Sequence, residues 1–194
     1  TFRGIEESGE VFVHGVAIRP GHPVVLGVTN SVPVVGLPGY PASASITSEL
    51  FVKSLIREFT GEIFDEGDFI LAKLARKIHS PMGDEEFLRV TVGRIDNAYV
   101  ATPTARGAAM TLAMSRSDGI VRISADSEGV DEGEEIKVAL VRPRHLIDKT
   151  VIVSGSHDIA LDVLGSKFSE LPGSAKMVST KVGSVGGLPA LSKG

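Results

Sequence analysis

Two short stretches in the first quarter of the chain carry groups that could hold an anion. Residues 19–23 read R-P-G-H-P, so Arg19 and His22 lie three positions apart across a Pro-Gly turn and could present two cationic groups to one site. Residues 36–43 read G-L-P-G-Y-P-A-S and lead into an amphipathic helix. Because the first N–H groups of a helix carry partial positive charge, such a helix start is suited to an oxyanion or a phosphate.

Each stretch also has an ordinary structural explanation. Loops rich in Gly and Pro commonly connect a strand to a helix, whatever the protein does. Arg19 could cap backbone carbonyls or pair with an acid, and His22 could simply be exposed. For either residue taken alone the ordinary explanation is favoured, so the residues by themselves leave both interpretations open.

Short strands and one helix must position these residues. Apolar runs at residues 11–18, 24–28 and 32–35 predict three strands. Apolar positions at helical spacing predict a helix that starts near Pro41 and ends about one residue before Gly61. Continuous apolar strands that feed a helix are typical of an α/β sheet buried on both faces.

The pattern changes after an acidic stretch at residues 65–68, and we predict a domain boundary near residue 62. Residues 69–78 alternate apolar and basic side chains. Turn signals separate short β-rich runs at 87–92, 98–103, 110–114, 119–123 and 135–141. Strands at this spacing indicate a small β-barrel or sandwich, which we expect to fold independently over about residues 66–143.

From residue 151 onward the sequence predicts a strand, a helix and a second strand at residues 175–182. So few residues cannot bury both faces of a parallel sheet, and we expect this tail to be marginally stable or paired with another copy. Its adjacent residues Ser156, His157 and Asp158 cannot form a catalytic triad, whose members converge from separate elements. Ser156 or Asp158 is predicted to cap the helix.

Composition excludes several classes of protein. The chain has 194 residues, a formal net charge of −4 and no cysteine, so disulfides, zinc–thiolate sites and cysteine nucleophiles are ruled out. Its basic residues are scattered, which argues against nucleic acid as a partner. Its apolar runs are too short to span a bilayer, and it has neither an initiator Met nor a signal pattern. We expect a soluble piece of a longer protein.

A family resemblance emerges from the order of these motifs. R-P-G-H-P, G-L-P-G-Y-P-A-S, E-F-L-R-V-T-V, R-G-A-A-M-T-L and S-D-G-I-V-R-I follow one another over about residues 5–142, and this order resembles the C-terminal half of molybdopterin molybdenumtransferase and the E domain of gephyrin. The resemblance implies α/β followed by mainly β structure. Residues 1–62 would end a three-layer α/β molybdopterin-binding domain, and residues 63–146 would form a C-terminal β-barrel. Residues 147–194 resemble the start of a periplasmic-binding-protein-like α/β domain, similar to the ligand domain of LysR regulators.

The resemblance implies an enzyme of molybdenum cofactor biosynthesis. In that family molybdate is inserted into adenylylated molybdopterin, with magnesium as cofactor, and molybdate or tungstate is the oxyanion substrate. It also implies a cytoplasmic homodimer. The magnesium ligands and the acids that hydrolyse the adenylate would lie N-terminal to Thr1, so we assign no catalytic residue and expect no turnover from this chain alone. The alternative is a non-catalytic module that binds or senses a small ligand or oxyanion.

The resemblance also assigns binding residues. Arg19 and His22 match a pair of lysines in the family pattern K-P-G-K-P, and His22 carries its charge only when protonated, so we expect binding to weaken as pH rises. Tyr40, Ala42 and the turn R-G-A at residues 106–108 depart from the family pattern. The full set implied for molybdate and substrate is Arg19, His22, Pro38, Gly39, Pro41, Ser43 and Arg89.

Overall fold

The computed structural model of the chain describes residues 2–62, 67–104, 106, 114, 117–156, 158–170, 176–181 and 183. The described helices are α1 (Phe2–Ser8), α2 (Pro41–Thr47), α3 (Lys53–Thr60), α4 (Arg144–Ile147) and α5 (Ile159–Glu170), and a π-helical turn, Ser48–Val52, joins α2 to α3. The described strands are β1 (Gly9–His14), β2 (Ile18–Arg19), β3 (Val25–Thr29), β4 (Val32–Gly36), β5 (Phe69–Leu74), β6 (Ile78–His79), β7 (Glu85–Ile95), β8 (Ala98–Pro103), β9 (Gly119–Ile123), β10 (Gly129–Val130), β11 (Glu135–Leu140), β12 (Val151–Gly155) and β13 (Met177–Lys181).

The first three predicted strands form an antiparallel sheet in the order β1-β3-β4. The run predicted as one strand over residues 11–18 is divided into β1 and β2, because Gly15 takes a positive φ of 90° and turns the chain. The sheet is not buried on both faces as expected, since Phe12 on β1 is 63% exposed. In the described residues this part is an antiparallel meander with helices beside it, and the three-layer α/β domain stays a prediction.

The predicted helix is confirmed at both ends. Pro41 occupies the first turn of α2, where its missing N–H has no intrahelical acceptor to lose. Gly61 follows α3 in the left-handed conformation with φ of 67°, and its N–H bonds to the carbonyl of Arg57 at 2.9 Å. Glycine adopts this conformation without a Cβ penalty, so it ends the helix where the sequence indicated.

A five-stranded barrel follows, in the order β7-β8-β5-β11-β9, and it closes because β9 also pairs with β7. All neighbours are antiparallel except β5 and β8, which are parallel. Side chains alternate along each strand, so that every second side chain points into the barrel. The core contains Ile70, Ala72, Leu74, Leu88, Val90, Val92, Ala101, Val121, Ile123, Ile136 and Val138. The predicted strands at 87–92, 98–103, 119–123 and 135–141 are confirmed within a few residues, and the one at 110–114 lies outside the described residues except for Met114.

Strand β2 joins the first part of the chain to the barrel. It lies parallel to the start of β7, with Ile18 opposite Glu85 and Arg19 opposite Glu86. Strands from the two sides of the predicted boundary near residue 62 therefore pair in one sheet. The three-domain division of the chain stays a prediction.

The tail has the predicted strand-helix-strand order, and β12 pairs in parallel with β13. The carboxylate of Asp158 accepts a hydrogen bond from the N–H of Ala160 at 2.7 Å, which confirms the predicted helix cap. His157 lies outside the described residues. The side chain of Ile152 covers Gly93 of the barrel so closely that a Cβ there would lie 2.3 Å away. The tail therefore packs on the barrel, while its likeness to a binding-protein domain stays a prediction.

Candidate functional site

Arg89 lies at the centre of the candidate site, between the barrel and α2. Along β7, side chains alternate between the core and the outer face, and Arg89 points outward between the buried Leu88 and Val90. Its guanidinium donates to the hydroxyl of Ser45 on α2 at 3.2 Å and to the hydroxyl of Ser117 at 3.1 Å. One side chain thus bridges two elements that are distant in sequence.

Arg89 has no acidic partner among the residues that the structure describes. Its guanidinium is half-buried, and this burial lowers its pKa below the usual arginine value. Hydroxyl oxygens satisfy two of its donors without neutralising its charge. A partly desolvated cation held in this way is suited to binding an anion, because a charge-assisted hydrogen bond is stronger away from bulk water.

The start of α2 lies one turn from this guanidinium. Ser45 is four residues after Pro41 and therefore on the same face of the helix. Tyr40 precedes the helix in an extended conformation and makes no side-chain cap, and the N–H of Ala44 bonds to the Tyr40 carbonyl at 2.9 Å. The preceding N–H groups have no acceptor within the helix.

The loop at residues 19–23 also contacts α2, through its glycine. Gly21 is buried with φ of 126°, and a Cβ there would lie 2.8 Å from Thr47 and 2.9 Å from Ile18. The loop can approach the helix this closely only with glycine. The structure therefore brings the loop, α2 and Arg89 into one region.

The two cations predicted in that loop lie in different surroundings. Arg19 donates to the carboxylate of Asp84 through Nε at 3.1 Å and Nη2 at 2.6 Å, so its charge is already paired. His22 is exposed, and its carbonyl accepts a hydrogen bond from the N–H of Val16. Pairing with an acid and simple exposure are the ordinary explanations given above, and the roles of Arg19 and His22 toward an anion stay predictions.

The remaining predicted residues surround the helix start. Pro38 is buried and Gly39 is exposed. A Cβ on Gly39 would meet no atom within 4 Å, so the described fold itself leaves room there. Ser43 is buried on the inner side of α2, where its carbonyl accepts the hydroxyl of Thr47 at 2.8 Å. Of the two serines in this turn, Ser45 is the one that contacts Arg89.

The acids at the start of β7 are all paired with arginines. Glu86 is 5% exposed and accepts two hydrogen bonds from Arg106, at 2.8 and 2.9 Å. Glu85 pairs with the exposed Arg122 at 2.5 Å. The Nη2 atom of Arg106 also donates to the carbonyl of His79. The other two residues of the R-G-A turn, 107 and 108, lie outside the described residues.

These pairings bear on whether the described part could hold magnesium. Magnesium prefers carboxylate oxygens in octahedral geometry. Within the described ranges no three acids or histidines converge on one point, and the acids nearest the site already contact arginines. The described residues do not fit a magnesium site, so we derive no step through this ion.

The described helices also include none long and apolar enough to cross a membrane.

Ser45, Ser117 and Asp118 belong to this region but were not selected from the sequence. Ser117 is 1% exposed, and Asp118, the next residue, is fully buried. Ser45 could not be distinguished from Ser43 without knowing the rotation of α2. The S-D-G turn before β9 gave a weak signal for Ser117 and Asp118, because such a turn is usually exposed.

Comparison with known proteins agrees with this architecture. Residues 71–141 match the sequence model of the MoeA C-terminal region (domain IV). The chain is homologous to MoeA proteins, and its barrel matches the MoeA C-terminal domain. A Methanocaldococcus jannaschii protein named for molybdopterin biosynthesis is 32% identical over 142 residues, which are 73% of this chain and 33% of that protein. The molybdopterin molybdenumtransferase of Bacillus subtilis is 23% identical over 136 residues, or 70% of this chain and 32% of the enzyme.

A solved structure shows that the similarity to MoeA proteins extends to the three-dimensional fold. The molybdopterin biosynthesis MoeA protein from Pyrococcus horikosii superposes with a TM-score of 0.62 and 36% identity, over 74% of this chain and 35% of that one. The chain thus spans about a third of the length of the relatives it matches. The family model covers residues 71–141, in the barrel region, and the comparisons do not show a LysR-like domain in the tail.

Proposed function

We propose that this chain is part of a protein of molybdenum cofactor biosynthesis that inserts molybdate into adenylylated molybdopterin. The support is its homology to MoeA proteins together with one observation, the half-buried guanidinium of Arg89 that is bonded to hydroxyl groups rather than to an acid of the described residues. Such a group can bind a tetrahedral oxyanion that carries two negative charges.

In this proposal Arg89 and the start of α2 hold molybdate beside an anionic substrate. The guanidinium supplies charge and two parallel donors, and the first N–H groups of the helix supply further donors. Ser45 fixes the orientation of the guanidinium and can itself contact the oxyanion. The open space over Gly39 lets a ligand approach the backbone. Arg19, His22, Pro38, Pro41 and Ser43 remain proposed neighbours of the bound anion.

Several further features come from the family resemblance and belong to the same proposal. The protein would act in the cytoplasm as a homodimer on molybdopterin or its adenylylated form, and tungstate could replace molybdate. Magnesium would be bound by residues outside this chain. The catalytic acids would also lie outside it, so that these residues bind and orient the oxyanion and the chain alone has no turnover.

The test is molybdate binding by the chain, measured by isothermal titration calorimetry. Arg89→Met removes the charge and keeps an apolar stem of similar length. Loss of a hydrogen bond to a charged group costs about 1.5 to 3 kcal/mol, or roughly 10- to 150-fold in affinity. The matched control is Arg122→Met, because Arg122 is 70% exposed, lies on the neighbouring strand β9 and pairs with Glu85.

The two variants decide the proposal together. Weaker binding in Arg89→Met with unchanged binding in Arg122→Met supports it. Equal loss in both would show a general effect of charge on the barrel and would count against it. Wild-type protein that binds no molybdate, or an Arg89→Met variant that binds as tightly as wild type, would refute it.

A further inference from the structure

Asp118 is a fully buried carboxylate at which three parts of the chain meet. Its Oδ2 accepts the N–H of Val92 on β7 at 2.9 Å. Its Oδ1 accepts two hydrogen bonds. One comes from Arg142, in the segment after β11, at 2.6 Å. The other comes from Lys176, the residue before β13, at 3.0 Å. A buried charge is tolerated when it is paired and hydrogen-bonded in this way.

The same turn holds Arg89. Ser117, next to Asp118, accepts a hydrogen bond from Arg89 and donates one to the carbonyl of Met114 at 3.0 Å. The N–H of Asp118 bonds to the carbonyl of Val90, beside Arg89 on β7. A shift of Asp118 would therefore be expected to move the Ser117 hydroxyl, which is one of the two hydroxyls that hold the guanidinium of Arg89.

The tail also contacts this turn, through Lys176. Lys176 is only 19% exposed and lies immediately before β13, which pairs with β12 along its length. The contact of Ile152 with Gly93 places β12 on the same strand of the barrel as Arg89. The tail thus contacts the barrel both through an apolar side chain and through an ion pair, and the ion pair ends at Asp118.

We propose that Asp118 is a positioning residue for Arg89 and that the tail, through Lys176, stabilises this position, so that tail docking and oxyanion binding are coupled. The inference rests on the proposed function, since it concerns the regulation of the same site. Coupling of two sites is reciprocal: if a docked tail favours the anion, the bound anion favours the docked tail.

The experiment measures both directions of this coupling in the full chain. Molybdate affinity is measured by calorimetry, and hydrogen exchange of the β12 and β13 backbone is followed by mass spectrometry with and without molybdate. Lys176→Met should weaken molybdate binding about 5- to 10-fold, within the usual range of coupling between sites. Lys176→Arg keeps the charge and should restore binding. Lys167→Met is the control, because Lys167 also lies in the tail but pairs with the exposed Glu170.

The outcomes separate the inference from the proposed function. Slower exchange of β12 and β13 in the presence of molybdate, together with the loss in Lys176→Met and its recovery in Lys176→Arg, supports the coupling. Molybdate binding by wild type with no change in tail exchange, or an unchanged affinity in Lys176→Met, overturns the inference and leaves the proposed function standing. Wild type that binds no molybdate overturns both. The exchange measurement on wild type needs no variant, so it decides even if Lys176→Met does not fold.

Discussion

Replacing Asp118 with asparagine should be one of the most destabilising isosteric changes in this barrel. The amide oxygen of the Asp118→Asn variant can still accept the N–H of Val92, but Arg142 and Lys176 would lose the negative charge that they share. Removing one partner of a buried ion pair typically costs about 3 to 5 kcal/mol. The two cations are 28% and 19% exposed and can partly recover contact with water, so we expect the lower end, about 3 kcal/mol.

Urea denaturation followed by far-UV circular dichroism measures this loss. With a denaturant slope of about 2 kcal/mol per M, a loss of about 3 kcal/mol lowers the midpoint by about 1.5 M. Asp126→Asn is the control, because the carboxylate of Asp126 accepts a hydrogen bond from the neighbouring Ser124 at an exposed turn. Surface substitutions of this kind usually stay within about 0.5 kcal/mol.

A double-mutant cycle tests the cause of the effect. If the loss comes from the ion pairs, Lys176→Met should cost much less in the Asp118→Asn background than in wild type, with a coupling energy of about 0.5 to 3 kcal/mol. An Asp118→Asn variant within about 1 kcal/mol of wild type, or additive effects in the cycle, would refute the reasoning, because the carboxylate would then contribute little through its two cations.

Three further outcomes are expected. Gly93→Ala should destabilise docking of the tail by about 1 to 3 kcal/mol, since its Cβ would lie 2.3 Å from the side chain of Ile152; Ile152→Ala should relieve this in the double variant, as read by thermal melting. Lys77 lowers the pKa of Asp131, so this pair stabilises the fold above the unfolded carboxyl value and loses its effect as pH falls through the lowered one; Lys77→Gln should return the pKa toward normal in an NMR titration. Arg19→Met should weaken molybdate binding far less than loss of the β7 arginine, because Arg19 already pairs with a carboxylate; equal losses by calorimetry would contradict this.

Local features of the fold could be predicted from the sequence because local residues determine them. Glycine ends a helix in the left-handed conformation without a Cβ penalty, and the position of Gly61 was predicted on that ground. The alternation of apolar residues along β7 and the cap at Asp158 are likewise local. Helix α1 was missed because its seven residues, F-R-G-I-E-E-S, place only Ile5 in the core and give no helical period.

Long-range partners could not be predicted in the same way. The acid that pairs with Arg19 lies 65 residues further along the chain, and that interval gives no periodic signal. The choice of Ser45 over Ser43 depends on the rotation of α2 against the barrel, which packing decides. The parallel pairing of β5 with β8 requires the whole barrel to close.

Three arginines near β7 show why residue type alone did not define the site. Arg19 on β2 pairs with a carboxylate just before β7, and Arg106 pairs with a carboxylate on β7. The charges of these two arginines therefore stabilise contacts at the start of β7. Arg89 contacts two hydroxyl groups instead, and burial makes its charged form less favourable than in water. The balance of charge around each guanidinium therefore distinguishes them, and an arriving oxyanion gains most where no acid must first be displaced. On this reasoning the proposed anion site is centred on the barrel, at Arg89, and extends from there toward the start of α2.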